Sequence, residues 1–200
     1  MAILRGLQNY LDHHHVHYEV LGHEAAYTAP EIAQTLHVSG KLLAKVVIIK
    51  ADKRLVMAVL PSNWKIDFAR LKKVLQSRRV RLAIEDEFNG LFPDCEIGAM
   101  PPFGNLYGVD VYVDRSLTED EEIVFQAGTY DGAVKLRYQD FAHLVHPTVA
   151  EFHQVPVELA SLGRWPRTQF WERAKHRPHD ARLVPSPFPA VAAPLSGRDR

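Results

Sequence analysis

Two stretches of this 200-residue sequence carry residue types suited to chemistry at a ligand. Lys45 stands at the mouth of the apolar run 46–49, where a cation beside a buried strand can pair with a phosphate or carboxylate. It reads equally well as a solvated strand end, where losing the charge costs under about 1 kcal/mol. The second stretch is Gly98-Ala99-Met100-Pro101-Pro102-Phe103-Gly104. Glycines let backbone N–H groups crowd a ligand oxygen and prolines stiffen the arrangement, which suits an anion or oxyanion binder; a turn-rich crossover without a ligand has the same composition. On the first reading, Gly104→Val damages turnover more than folding.

Other candidates carry less. His13, His14, His15, His17 and His23 suggest a metal site. Successive helical residues point about 100° apart, however, so three in a row cannot face one ion; a polar helix end with imidazoles near the negative dipole reads better. Cys95 lies between Asp94 and Glu96, whose charges discourage a thiolate, so it is read as structural. The sequence has no GxSxG elbow, P-loop or GxGxxG, and no metal or cofactor is called for.

The elements that must position these residues follow from periodicity. Residues 2–15 read as an amphipathic helix, 17–21 as a short strand, and Thr28 as the N-cap of a helix running to about 37, with Pro30 in its first turn and Glu31 completing a capping box. The run AKVVIIK, the turn 51–53 and RLVMAVL form a hairpin whose first strand is buried on both faces. A helix over 67–76 and a shorter one over 85–91 come next, then the glycine–proline loop, the strands VDVYVD, EEIVFQAG and AVKLRY, and a helix over 139–146. Strands gathered in the middle without βαβ alternation predict an α+β fold, a small and mostly antiparallel sheet or barrel flanked by helices. Eight of the thirteen prolines lie from Pro147 onward, so the domain is expected to end near 150, with an extension over 151–200 that becomes an irregular, flexible tail from about 178.

Composition excludes several classes and points to one kind of partner. An apolar content of 46% and a charged content of 24% are ordinary for a globular chain. One cysteine cannot form an internal disulfide. With neither a membrane span nor a secretory leader in the sequence, a soluble, cytoplasmic protein is expected. The net charge is zero, yet residues 41–82 hold twelve basic against two acidic residues, and residues 85–122 eleven acidic against one basic. Screening confines attraction to about 10 Å, so the basic block can hold a phosphate backbone despite the distant acids. Arg70, Lys72 and Lys73 on the 67–76 helix are the candidate contacts to such a backbone; two mutually attracting solvated faces are the bland alternative.

Taken together, AKVVIIKADKRLVMAVLP, FPDCEIGAMPPFGNLYGVDVYVD and EEIVFQAGTYDGAVKLRYQDFAHL resemble the YbaK/prolyl-tRNA synthetase-associated domain family of trans-acting aminoacyl-tRNA deacylases, in order over about residues 1–150. The resemblance implies hydrolysis of the ester joining a wrong, small amino acid to the 3′ end of a tRNA. It also implies an aminoacyl-tRNA synthetase as a further partner. Lys45 matches the family's signature lysine, which acts near the terminal adenosine. Gly98, Pro102 and Gly104, with Phe103 between them, match the loop beside the aminoacyl group. Gly128 and Thr129 match the turn that closes the pocket, and Thr28 matches a further pocket position. Lys45, Gly98 and Gly104 are thereby the candidate catalytic residues, and Thr28, Pro102, Phe103, Gly128 and Thr129 the candidate substrate-binding ones. The chain departs from the pattern at Pro101, where relatives carry a small polar residue, and at Tyr130 and Asp131, where a histidine and another polar residue are expected. A noncatalytic module that binds tRNA ends or amino-acid-like ligands in the same pocket is the alternative, and a histidine-rich metal-binding protein a more distant one.

Overall fold

In the computed structural model, which describes residues 3–23 and 29–154, strand β3 (Arg54–Pro61) forms the centre of the domain. Its side chains alternate between two hydrophobic clusters: Met57 and Val59 join one, while Val56, Ala58 and Leu60 join the other. A strand with period-two side chains and apolar residues on both faces must be covered on both, and this one is. β2 (Ala44–Ala51) pairs antiparallel with β3 from Ala44↔Pro61 to Ala51↔Arg54, so the predicted hairpin forms with a two-residue turn at Asp52 and Lys53. Asp52 takes a left-handed φ of 53° in that turn, a conformation aspartate tolerates better than most residues. Its carboxylate accepts from the backbone N–H groups of Arg78 and Arg79.

The larger sheet has the order β4-β2-β3-β5-β8, with β4 (Val80–Leu82) antiparallel to β2, and β5 (Asp110–Asp114) and β8 (Thr148–Ala150) added in parallel. The smaller sheet, β1-β7-β6, is antiparallel throughout and built from β1 (Tyr18–Gly22), β6 (Glu122–Gln126) and β7 (Gly132–Arg137). An isolated bridge from Leu43 to Val124 joins the two sheets. The class is α+β as expected, with mixed sheets flanked by helices and no closed barrel. The two parallel pairings were not foreseen: β8 is three residues long, too short to show a periodicity, and β5 reaches β3 only across a long crossover.

Helix α1 (Arg5–His13) buries Leu7 and Leu11 in the main core. α2 is Ala29–Thr35, and Thr28 lies outside the described residues. α3 (Phe68–Val74) starts at Asp67, whose side chain caps the N–H groups of Ala69 and Arg70. α4 is Glu85–Phe88, and α5 (Tyr138–Val145) buries Phe141 against Phe103. Among the described residues the domain continues past 150 to 154, because Phe152 is fully buried and Phe152 and His153 both donate backbone N–H groups to Asp114. The expected tail from about 178 lies outside the described residues. Among those residues, no helix is long and apolar enough to cross a membrane.

Candidate active site

Lys45 is the second residue of β2, paired with Leu60, and its half-buried side chain reaches over the start of the next connection. There Nζ donates to the carbonyl oxygens of Ser62 (3.0 Å) and Trp64 (2.5 Å). An ammonium has three N–H donors, so one is left to point elsewhere. Burial, with Lys65 nearby as a lesser cause, pushes its pKa below that of an ordinary lysine. The carbonyls are fixed in turn: Ser62 donates from both N–H and Oγ to Gly40, and the Trp64 ring meets His153 edge-on at 4.0 Å. Lys45 is therefore not a solvated strand end.

A cavity of about 70 Å³ opens beside it, walled by Ile32, Leu43, Ala44, Val46 and Met100, with Lys45, Gly98 and Gln126 as its polar features. Gly98 sits at φ +91°, where an L side chain is strained, and its N–H donates only to the Met100 thioether at 3.2 Å. Sulfur is a weak acceptor, so a ligand oxygen can take over that donor at little cost. The structure thus brings together Lys45 and Gly98.

The other predicted site residues lie elsewhere. Pro102, Phe103 and Gly104 are buried behind the cavity, with Phe103 packed on Tyr10, Phe125 and Phe141 in the main core. A Cβ on Gly104 would come 2.4 Å from the Val109 carbonyl and 2.7 Å from Val111, so this glycine permits a close approach of backbone to backbone. Substitution there attacks folding first, the reverse of the sequence expectation.

Gly128 and Thr129 form the turn that backs the loop. Gly128 N–H donates to Ala99 O and its carbonyl accepts from Glu96 N–H, both at 2.9 Å. At φ +102° it also leaves room for Leu4, which a Cβ would meet at 2.6 Å. The unexpected Tyr130 completes this fastening, its N–H donating to the Glu96 carboxylate and its hydroxyl to Ile97 O at 2.6 Å. Asp131 contributes its carbonyl to His23 N–H. Tyr130 thus helps hold the Gly98 loop in place, while Asp131 fastens the chain just after β1.

Sequence reasoning missed Gln126, the last residue of β6, because a lone glutamine at a strand end carries no signal until its neighbours are known. It also missed the clamp around Asp114, whose fully buried carboxylate takes hydrogen bonds from Ser116, Phe152 and His153. Burial works against the charge there, but the donors, His153 and Ser116 foremost, outweigh it and hold the carboxyl below its usual range.

Of the candidate tRNA contacts, Arg70 is engaged by Glu151 at 2.6 Å and by Asp67, so its charge is largely answered within the fold. Lys72 opens instead onto a basic groove of about 550 Å³, lined also by Lys50, Arg78, Arg79 and Arg81, with the partly exposed ring of Phe68 at its wall. Lys73 is exposed and not part of that groove. Arg81 holds Glu87 in a two-pronged ion pair that brings the Glu87 pKa down to about 2. His13 ends α1, and His14 and His15 follow it; the rings of His13 and His14 meet edge-on, and His15 takes a left-handed φ. Cys95 is half-buried, 3.4 Å from the Tyr107 hydroxyl, and burial pushes its thiol pKa up, which fits a packing role rather than a nucleophile.

Comparison with known proteins places this geometry. A protein from Escherichia coli K12 named "Multifunctional Ser/Thr-tRNA deacylase ProXp-y" is 26% identical over 142 residues, covering 68% of this chain and 84% of its own. A crystal structure of a candidate trans-editing enzyme for prolyl-tRNA synthetase superposes with a TM-score of 0.67 at 20% identity, over 76% of this chain and 97% of its own. A scaffold used for grafting linear epitopes superposes with a TM-score of 0.68 at 18% identity, over 76% and 97%. At such identities the two structures speak to the fold alone. The model of the aminoacyl-tRNA editing domain matches residues 23–144, a span that holds Lys45, the Gly98 loop, Gln126 and the Gly128 turn, and the chain belongs to that family.

Proposed function

We propose that this chain hydrolyses the ester joining a small noncognate amino acid to the 3′ end of a tRNA, acting in trans on the charged tRNA. The observation that carries the reading is the meeting of a part-buried cation and a weakly engaged backbone N–H at one small cavity. About 70 Å³ holds two or three non-hydrogen atoms when a water occupies roughly 30 Å³. That suits a small side chain such as that of alanine, serine, cysteine or threonine.

The cavity wall contains no serine, cysteine, histidine or carboxylate among the described residues, so water is the nucleophile. It adds to the ester carbonyl carbon, positioned by the substrate's own hydroxyls. The resulting oxyanion is met by the Gly98 N–H, and collapse breaks the bond to the ribose oxygen, which takes up the proton given up by the water, releasing the free amino acid and the tRNA 3′ hydroxyl. Lys45 holds the terminal adenosine through its remaining donor, in a setting where burial weakens screening. Lys50 lies five residues along β2 from Lys45, about 17 Å at strand rise and on the other face of the strand, and the basic groove that it lines receives phosphates of the acceptor arm.

The test is deacylation of a panel of mischarged tRNAs: alanyl, cysteinyl, seryl and threonyl. Seryl and threonyl esters head it because the E. coli relative is named for them. Release of one or more well above the spontaneous rate is expected. Binding of tRNA with no turnover on any member would leave the noncatalytic module as the reading.

A further inference from the structure

Among the described residues, Gln126 is the one polar side chain of the cavity wall that the fold leaves without a partner: its amide nitrogen is sealed from solvent and makes no hydrogen bond. A buried amide without a partner is costly, and a fold keeps one where a ligand supplies what is missing. Strand geometry says which way it faces. Val124 and Gln126 are two apart on β6 and share a face; Val124 bridges Leu43 and packs with Ile32, and both of those residues wall the cavity.

The geometry points to Gln126 as the residue that selects a hydroxyl-bearing amino acid, by hydrogen-bonding the side-chain hydroxyl of the aminoacyl group. This rests on the deacylase reading above and adds to it a class of substrate and the residue that chooses it. A hydroxyl both donates and accepts, so it satisfies either end of the amide, whereas a methyl group satisfies neither. The surrounding wall of Ile32, Leu43, Val46 and Met100 offers a hydroxyl no other strong side-chain partner except Lys45, which turns two of its three donors to carbonyls and the third to the adenosine on the reading above. A site built to bond a hydroxyl rejects the analogue without one far more strongly than an apolar pocket separates two alkyl groups, because the protein's own polar group is then stranded.

The experiment compares seryl- and 2-aminobutyryl-tRNA, which differ only by a methyl group in place of the hydroxyl, on one tRNA. For the wild-type protein, kcat/KM on the seryl ester is expected to be higher by about tenfold or more. In Gln126→Met, of equal length with no donor and only a weak thioether acceptor, the ratio should fall toward one while the 2-aminobutyryl rate stays within about threefold. A wild-type ratio near one overturns the assignment without any variant. So does a ratio that survives the substitution, or a parallel loss on both esters in a folded variant. Calorimetric binding of serine and 2-aminobutyrate, each amide-linked to 3′-amino-3′-deoxyadenosine, separates this from failure of the deacylase reading. A Gln126-dependent preference for the seryl amide in a protein that cleaves neither ester keeps the pocket and removes the enzyme. Equal binding of the two removes the hydroxyl selection.

Discussion

Lys45 shows how a surface-looking residue becomes part of a site. Its Nζ satisfies the carbonyls of Ser62 and Trp64, so Lys45→Ala strands two acceptors as well as deleting the charge, at a cost of about 1–3 kcal/mol rather than the smaller loss of a solvated strand end. Deacylation should fall by about 100-fold or more in the molecules that remain folded, read as turnover alongside a melting curve. Near-normal turnover in a folded variant would take Lys45 out of the mechanism. The two loop glycines are expected to separate. Gly98→Ala meets nothing within 4 Å and carries only the strain of a left-handed φ, about 1–2 kcal/mol, so it should fold and lose rate. Gly104→Val drives a side chain into the Val109 carbonyl and should lose soluble, cooperatively melting protein first. The reverse pattern would place the reacting ester at Gly104.

Elements decide which of the basic residues can meet a nucleic acid. α3 carries Arg70, Lys72 and Lys73 within four positions, yet Arg70 turns to Glu151 while Lys72 faces β4 and the hairpin turn. Asp52 draws Arg78 and Arg79 to that turn by accepting from their backbone N–H groups, which leaves both side chains to line the groove with Lys72. Replacing Lys72, Arg78 and Arg79 together with alanine should flatten the salt dependence of tRNA binding, by about 0.7–0.9 in log–log slope for each phosphate no longer neutralised. Arg70→Ala should leave the slope nearly unchanged and lower stability modestly, as expected for an exposed ion pair. A titration of binding against salt for both variants checks this; equal slopes for the two would return the basic block to a solvated face.

At the scale of the whole domain, the Asp114 carboxylate ties the end of β5 to the segment after β8, and that segment in turn holds the connection carrying Trp64 and the Lys45 acceptors. Backbone bonds complete the join, with Asp67 N–H donating to Phe152 O and Gln154 N–H to Lys65 O. Because folding lowers the Asp114 pKa from its ordinary 3.8, its charge stabilises the fold fully above that value, and the contribution is lost as pH falls through the lower, folded-state value. Asp114→Ala removes the acceptor of several buried donors and should cost about 3 kcal/mol or more at neutral pH. It should also flatten the decline of stability below about pH 4, followed by denaturant melts across pH. An acid limb as steep as the wild type's would show that other carboxylates carry it.

The sequence by itself determined the elements long enough to show a period and the motifs that depend on backbone chemistry. The β2–β3 hairpin, helix α3, the buried α1 and α5, and the Lys45 and Gly98 positions were all legible there, because hydrophobic periodicity and glycine–proline runs act over a few neighbours. Tertiary structure alone decided the rest. β4 and β8 exist only because β2 and β5 offer them hydrogen-bonding edges, and the parallel β3–β5 pairing joins residues more than fifty positions apart. Gly104 and Phe103 share a motif with Gly98, yet packing against Val109 and the aromatic core turns them away from the cavity. Gln126 gains its role from the reverse effect: the bridge between the two sheets sets its strand against Leu43 and Ile32, and the stranding of its amide cannot be read until every group around it has been placed.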